Sequence, residues 1–365
     1  MFNNIYKNKT ILITGHTGFK GSWLVSWLKK LKTKRIIGIA LPPHTSPSHY
    51  KEAKISSGIK NYNLDLKKKD ELKKIIIKES PDFIFHLAAN PLVKESYTNP
   101  IQTWETNLMG TVHVLESSRY LKKKCALIMI TSDKSYQNNE WIWGYRENDR
   151  LGGDDPYSAS KSACELAINS YVRSFYQDSK SLIRISAARA GNVIGGGDWS
   201  NDRIVPDCIK AWSKNKLCKI RNPFSTRPWQ HVIEPIVGYL IIGQKLYENS
   251  KFHGEAFNFG PGISEDRNVI SLVKEISKNW KGSKWLDVSK KTKGPKEAKL
   301  LKLNCDKSNQ LLGWRSILNF ENTAQLTVNW YQNFYNDKKN IFYTTNDQIE
   351  YYCKLAKINK LEWIN

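Results

Sequence analysis

Thr10-Ile11-Leu12-Ile13-Thr14-Gly15-His16-Thr17-Gly18-Phe19-Lys20-Gly21 is the stretch that decides the fold of this chain. Its first five residues form a β-branched, apolar run, the pattern of a strand buried on both faces of a parallel sheet. Beyond the glycines, Trp23, Leu24, Trp27 and Leu28 recur at helical spacing. Strand, glycine loop and helix in that order turn a weak glycine pattern into a dinucleotide site. Gly15 permits the tight turn. Gly18 lets the backbone approach a pyrophosphate at the helix N-terminus, and Gly21 allows close helix–strand packing. A glycine-rich turn without a ligand is the lesser alternative.

Working outward, residues 35–41 read as a second strand, at whose end an acid is expected to hold the adenine ribose. Ala40-Leu41-Pro42-Pro43 stands there instead, so this position does not choose between NAD and NADP. Leu64-Asp65-Leu66 ends a third short strand, with Asp65 either a partner for an adenine amine or a plain loop acid. Residues 81–89 form a fourth strand, and Ala88 and Ala89 leave room for a flat ligand at its carboxyl end. Residues 103–120 read as a helix carrying Asn107. Residues 126–130 form a fifth strand followed by Thr131-Ser132-Asp133-Lys134-Ser135-Tyr136. A hydroxyl, a carboxylate and an ammonium emerge together at an edge that faces the ligand crevice in an open α/β sheet.

Asp155-Pro156-Tyr157-Ser158-Ala159-Ser160-Lys161 opens another helix, with Ala163, Leu166, Ala167, Tyr171 and Phe175 at helical spacing after it. Tyr157 and Lys161 share a face, so a cation stands ready to favour phenolate over phenol. That suits Tyr157 to act as a base for a sugar hydroxyl, although the pair alone also reads as an exposed Tyr and Lys on a helix surface. Residues 182–188 form a sixth strand. Residues 256–261 return to the sheet, and the segment between is rich in planar and cationic groups suited to a base, a ribose and phosphates.

Bulk properties set the bounds. The chain has 365 residues, 40% hydrophobic, with a formal net charge of +23. The lysines are scattered and no aromatic-interleaved basic motif accompanies them, so a solvated surface explains the charge better than nucleic-acid binding. A polyanionic substrate still gains from the field. Six widely spaced cysteines without a C-x-x-C read as reduced, cytosolic thiols. Histidine-pair metal motifs are absent, and no metal is expected. The first ten residues lack a signal-type apolar region, and no apolar run is long enough to span a membrane.

The fold expected is α/β: a Rossmann-type, doubly wound parallel sheet with a smaller mixed α/β substrate domain toward the C-terminus. The expected boundaries are 1–190 with about 230–262 for the dinucleotide domain. About 191–229 and 263–335 form the substrate domain, and 336–365 a helical tail to which no function is attached.

The glycine loop, Asn107, Tyr157 with Lys161, and residues 189–197 resemble the extended short-chain dehydrogenase/reductases that modify nucleotide sugars. Gly15-His16-Thr17-Gly18-Phe19-Lys20-Gly21-Ser22-Trp23-Leu24, Thr131-Ser132-Asp133-Lys134, Trp143-Gly144-Tyr145-Arg146-Glu147-Asn148, Gly191-Asn192-Val193-Ile194-Gly195-Gly196-Gly197-Asp198-Trp199 and Arg227-Pro228-Trp229-Gln230-His231 are similar to the branch of 4,6-dehydratases acting on CDP-glucose. The resemblance covers roughly residues 8 to 335. Related dehydratases carry a glutamate where Lys134 stands, and sugar epimerases usually lack the Asp133-Lys134 type of pair. Lys296 stands where the pattern has a histidine before Glu297.

The resemblance implies NAD as cofactor, CDP-glucose as substrate, a soluble cytoplasmic enzyme and a homo-oligomer, either a dimer or a tetramer. It implies catalytic roles for Ser132, Asp133, Lys134, Tyr157 and Lys161. It places Gly15, Thr17, Gly18, Phe19, Lys20, Gly21, Asp65, Leu66, Leu87, Ala88, Ala89 and Asn107 around the cofactor, with Tyr157 and Lys161. Asn192, Arg203, Arg221, Arg227 and Gln230 are placed around the substrate. The implied reaction is internal redox: oxidation at C4, loss of water across C5 and C6, and hydride return to C6. An epimerase on the same fold is the nearest rival, but epimerisation expels no water and has no use for Asp133-Lys134. A non-catalytic NAD-binding protein would not need Ser132, Tyr157 and Lys161 together.

Overall fold

Thr10–Thr14 (β1) is buried along its whole length and sits inside a seven-stranded sheet. The computed structural model describes residues 1–178, 181–262, 267–291, 300–336 and 340–365. Chain order supplies β2 (Arg35–Ala40), β3 (Lys60–Asn63), β4 (Phe83–His86), β5 (Cys125–Ile130) and β6 (Ile183–Ala190). Four short strands follow: β7 (Val193–Ile194), β8 (Cys218–Ile220), β9 (Thr226–Arg227) and β10 (Gln230–His231). Ala256–Phe259 (β11) then returns to the sheet. The order across it is β11-β6-β5-β4-β1-β2-β3, and every pairing is parallel. The direction of winding reverses between β1 and β4, which opens a crevice at their carboxyl ends.

The period of two along each strand divides the core into two layers. Leu12, Ile84, Leu127 and Ile185 face one layer; Ile11, Ile13, Phe83, Phe85 and Ile128 face the other. The first layer is covered by the helices Lys69–Glu79, Gly110–Ser118 and Pro156–Tyr171, and the second by Phe19–Lys30 and Ile233–Glu248. The segment expected as one helix over 103–120 is Pro100–Trp104, then a π-helical turn Glu105–Met109, then Gly110–Ser118.

Ala163, Leu166, Ala167, Tyr171 and Phe175, the apolar residues spaced along the Tyr157 helix, lie toward its outside. Leu166 is 61% exposed and Phe175 47%. The buried side is Tyr157, Ser160, Lys161, Cys164, Glu165 and Ile168, because this helix turns a polar face to the site. The α-helix ends at Tyr171 and continues as a π-turn, Val172–Tyr176.

Between β6 and β11 the chain builds three small pairings. β7 runs parallel to β10, β9 antiparallel to β12 (Arg267–Asn268), and β8 parallel to β13 (Trp285–Asp287). The tail forms the helix Ile341–Ile358, which packs into the second core layer through Ile349, Tyr352 and Ala356. Tyr352 donates to the buried carboxylate of Glu234, which also takes the backbone N–H groups of Ile317 and Leu318. Lys296 and Glu297 lie outside the described residues.

Candidate active site

The glycine loop shows a different constraint at each glycine. Gly15 has φ +76°, in the left-handed region that favours glycine, and a Cβ there would meet the backbone N of Ala88 at 2.6 Å. A Cβ on Gly21 would lie 2.2 Å from the Gly15 carbonyl oxygen. At Gly18 only that oxygen comes within 4 Å, at 3.3 Å, and the rest of the space is open. Gly18 is also the N-cap of the helix Phe19–Lys30, whose first N–H groups lack partners inside the helix. An open face at a helix N-terminus fits a pyrophosphate.

Thr17 donates to the carbonyl of Leu41 at 2.8 Å. Leu87 N donates to Thr14 O at 3.0 Å, and Ala88 N to Thr14 Oγ1 at 3.3 Å, which sets residues 87–89 beside the glycine loop. Asn107 lies in the π-turn, where its Nδ2 reaches Ser160 Oγ at 2.9 Å and its Oδ1 takes Asn90 N at 2.7 Å. Asp65 accepts from Lys67 N at 3.0 Å and forms an exposed ion pair with the same lysine. Leu66 is buried, its carbonyl sharing a hydrogen bond with His113 Nδ1 at 2.8 Å.

The Tyr157 helix starts where Asp155 Oδ1 accepts Ser158 N at 2.9 Å, with Pro156 at its first position. Tyr157 is 8% exposed, and its hydroxyl bonds to Ser132. Burial pushes the phenol up to about 12, while the Ser132 bond and the charge of Arg203 draw it down. By spacing, that lowering is expected from Lys161. In the fold, Lys161 is itself held below the usual lysine value by burial, with Cys164 and Glu165 as the counteracting groups.

Ser132 Oγ donates to Asp133 Oδ1 at 3.0 Å and accepts Lys134 N at 3.2 Å, capping the 3₁₀ turn Asp133–Ser135. Asp133 is 3% exposed, and its Oδ2 meets no hydrogen-bond donor. Burial raises this carboxyl above its ordinary value against the pull of Lys134, Ser132, Lys20 and Arg227. Lys134 is half-buried beside it.

Lys20 leaves the glycine loop toward this centre. Burial brings its ammonium down to about 8, with Asp133 counteracting and Arg203 and Lys161 reinforcing the fall. Sequence reasoning placed Lys20 only among the cofactor groups; its position beside Asp133 emerges from the turn of the helix. Tyr239 was missed altogether. It is fully buried with an unpartnered hydroxyl, close enough to Asp133 and Tyr157 to feel both charges, yet it sits in the apolar run of the helix Ile233–Glu248.

The proposed substrate residues divide. Arg203 approaches Tyr157 and pairs with Asp198 at 2.9 Å, and Arg227 stands close enough to Asp133 to influence it. Arg221 is farther out, paired with Asp202 at 2.7 Å, and the same carboxylate binds Lys94 at 3.1 Å. Gln230 donates to Phe259 O at 2.8 Å and keeps a buried, unpartnered Oε1. Asn192 accepts Gln230 N through its carbonyl at 3.1 Å. All six cysteines are free thiols. Among the described residues, no cluster of three or more metal-ligating side chains occurs, and no helix is long and apolar enough to cross a membrane.

Comparison with known proteins adds independent findings. The family model described as GDP-mannose 4,6 dehydratase matches residues 12–327. A CDP-glucose 4,6-dehydratase of Salmonella typhimurium is 40% identical over 333 residues, covering 90% of this chain and 92% of the relative. Among solved structures, a UDP-glucose-4-epimerase of Stenotrophomonas maltophila aligns with a TM-score of 0.77 at 15% identity, over 89% of this chain and 98% of that one. A dTDP-glucose 4,6-dehydratase of Bacillus anthracis aligns with a TM-score of 0.72 at 20% identity, over 90% and 98%. Epimerase and dehydratase share this fold, so the fold does not separate them.

Proposed function

This chain belongs to the GDP-mannose 4,6 dehydratase family of nucleotide-sugar-modifying short-chain dehydrogenase/reductases, and from that premise we propose that it is a CDP-glucose 4,6-dehydratase. It converts CDP-glucose to CDP-4-dehydro-6-deoxyglucose and water, with NAD as a cofactor that ends the cycle as it began. The observation that carries this reading is Asp133: a buried carboxyl, biased toward its protonated form, with one oxygen unpartnered beside Tyr157. An acid of that kind serves the expulsion of a hydroxyl.

The open face at Gly18, the alanines after β4 and Asn107 fit a dinucleotide, and Lys161, buried one turn beyond Tyr157, is assigned to hold its ribose. NAD supplies, when bound, a reversible hydride acceptor. Tyr157 takes the proton of the sugar 4-hydroxyl as the phenolate, a form its burial opposes and the Ser132 bond and Arg203 favour, while Ser132 bonds the same oxygen. The resulting ketone acidifies the C5 proton, which Lys134 removes once it has shed its own proton and stands as the neutral amine. Asp133 protonates the departing 6-hydroxyl. Arg203 and Arg227, close enough to Tyr157 and Asp133 to influence them, are assigned to the diphosphate charge.

The chain is further proposed to act in the cytoplasm as a homo-oligomer, a dimer or a tetramer. Six free thiols suit a reducing compartment, and Ile101, Trp104, Met109 and Leu166 leave apolar side chains exposed for a second copy. Incubation with NAD and a panel of nucleotide-glucoses tests the function. The CDP sugar is expected to lose one water by mass, faster than the UDP, TDP and GDP sugars. Equal turnover of TDP-glucose would overturn the base preference, and an isomer of unchanged mass would overturn the dehydratase reading.

A further inference from the structure

Glu165 and Arg189 form a fully buried ion pair, each side chain at most 3% exposed. Arg189 Nε reaches Glu165 Oε1 at 2.9 Å and Nη2 reaches Oε2 at 3.1 Å, a bidentate fork. Glu165 lies one turn beyond Lys161 and two beyond Tyr157 on the same helix face. Arg189 lies on β6. The pair therefore ties the helix that carries the oxidation residues to the sheet.

It also holds a third element. Thr131 Oγ1 donates to Glu165 Oε1, and Thr131 is the residue before Ser132. Arg189 Nη1 donates to the Tyr136 hydroxyl at 2.7 Å and to Glu147 O at 2.9 Å. Tyr136 is the residue after the turn Asp133–Ser135, and its hydroxyl in turn donates to Asn258 Oδ1 of β11 at 2.7 Å. One ion pair thus grips both ends of the segment that bears Ser132, Asp133 and Lys134. An isolated structural ion pair has no need to reach either end. Replacing such a pair by apolar packing often costs little stability, so stability alone gives a weak account of it.

We propose that Glu165 and Arg189, acting through Thr131 and Tyr136, are positioning residues that set the Asp133–Lys134 pair against the Tyr157–Lys161 pair. The inference rests on the dehydratase reading above. The clamp fixes the segment that bears Ser132, Asp133 and Lys134 relative to the helix that bears Tyr157 and Lys161. Misplacing reacting groups by about 1 Å is worth on the order of 10²-fold in rate, which gives the clamp ample leverage.

The test uses Thr131→Val, which is nearly isosteric and deletes only the hydroxyl arm, and Tyr136→Phe, which deletes the other arm. Each is measured with NAD and CDP-glucose in single turnovers. Reduced-nicotinamide absorbance reports oxidation, and loss of water by mass reports elimination. The wild-type protein should complete both. In either variant the ratio of elimination rate to oxidation rate should fall at least tenfold, with KM little changed and reduced nicotinamide accumulating. Thr131→Ser, which restores the hydroxyl, should restore the ratio. Should Thr131→Val fail to fold, Tyr136→Phe decides alone. An unchanged ratio, whether both rates stay normal or fall in parallel, would overturn the clamp while the dehydratase reading stands. Failure of the wild-type protein to dehydrate any nucleotide-glucose would overturn that reading and this inference with it.

Discussion

Asp133 is placed at a cost to the fold, and that cost is measurable. Its carboxyl is raised in the folded chain because burial outweighs the neighbouring cations, so the fold favours the neutral acid. A raised acid loses stability for the fold as pH climbs from its ordinary value, near ~4, toward the folded one, and the loss persists above. Asp133→Asn removes the ionisation. At neutral pH the variant should melt a few degrees higher than wild type by calorimetry, and the gain should vanish in acid below the ordinary carboxylate range. The same variant should still reduce NAD on adding CDP-glucose but release dehydrated sugar ~10²–10⁴-fold more slowly, the usual worth of general acid–base help. Dehydration at the wild-type rate would remove the carboxyl from the mechanism. Tyr157→Phe should instead abolish NAD reduction while leaving the melting temperature near that of wild type. At this scale the sequence was legible where chemistry is local. Tyr157 and Lys161 share a helix face by arithmetic, and Ser132-Asp133-Lys134 stand together in the chain. Arg203 lowering the Tyr157 phenol and Lys20 turning toward Asp133 depend on distances between separate elements, which no spacing encodes.

The elements were legible wherever a period extends over several turns or residues. β1, the glycine loop and the helix after it are local patterns and stand where the pattern puts them. The Tyr157 helix stands where its spacing puts it, but its apolar stripe is not its buried face, which carries the polar network around Glu165. The π-turn at Asn107 leaves no trace in periodicity, although such turns recur at functional sites. The paired strands of two and three residues after β6 are too short to show a period at all. The glycine loop itself supplies a contrast that tests its two roles. Gly18 has φ −76° and open space beyond a single 3.3 Å neighbour, so Gly18→Ala should keep the fold intact. It should weaken NAD binding about tenfold, ~1.4 kcal/mol, by intruding on the pyrophosphate. Gly21→Ala places a methyl 2.2 Å from a backbone oxygen. That variant should lose stability by about 1–3 kcal/mol, the range of overpacking, together with cofactor affinity. Calorimetry and NAD titration on both proteins check the pair. Equal affinity for NAD in wild type and Gly18→Ala would move the pyrophosphate elsewhere.

The whole molecule carries a formal charge of +23. The tail, which the sequence left without a role, closes the second core layer, because the partner of its Tyr352 is a glutamate more than a hundred positions away in the chain. Charge, unlike such a contact, needs no fold to be read, and its consequence is kinetic. A scattered positive surface draws a nucleotide diphosphate sugar inward over distances of a Debye length, ~10 Å at 0.1 M salt and ~3 Å at 1 M. Once the substrate is bound, the buried groups around Tyr157 and Asp133 are screened little by salt. Raising sodium chloride from about 0.02 M to about 0.5 M should therefore lower kcat/KM for CDP-glucose several-fold while kcat stays nearly constant. Steady-state kinetics across that series measures it, with potassium glutamate as a second salt to separate screening from chloride binding. A kcat/KM that does not respond to ionic strength would show that the surface charge serves solubility alone. A parallel fall in kcat would mean that the salt acts on the catalytic groups themselves.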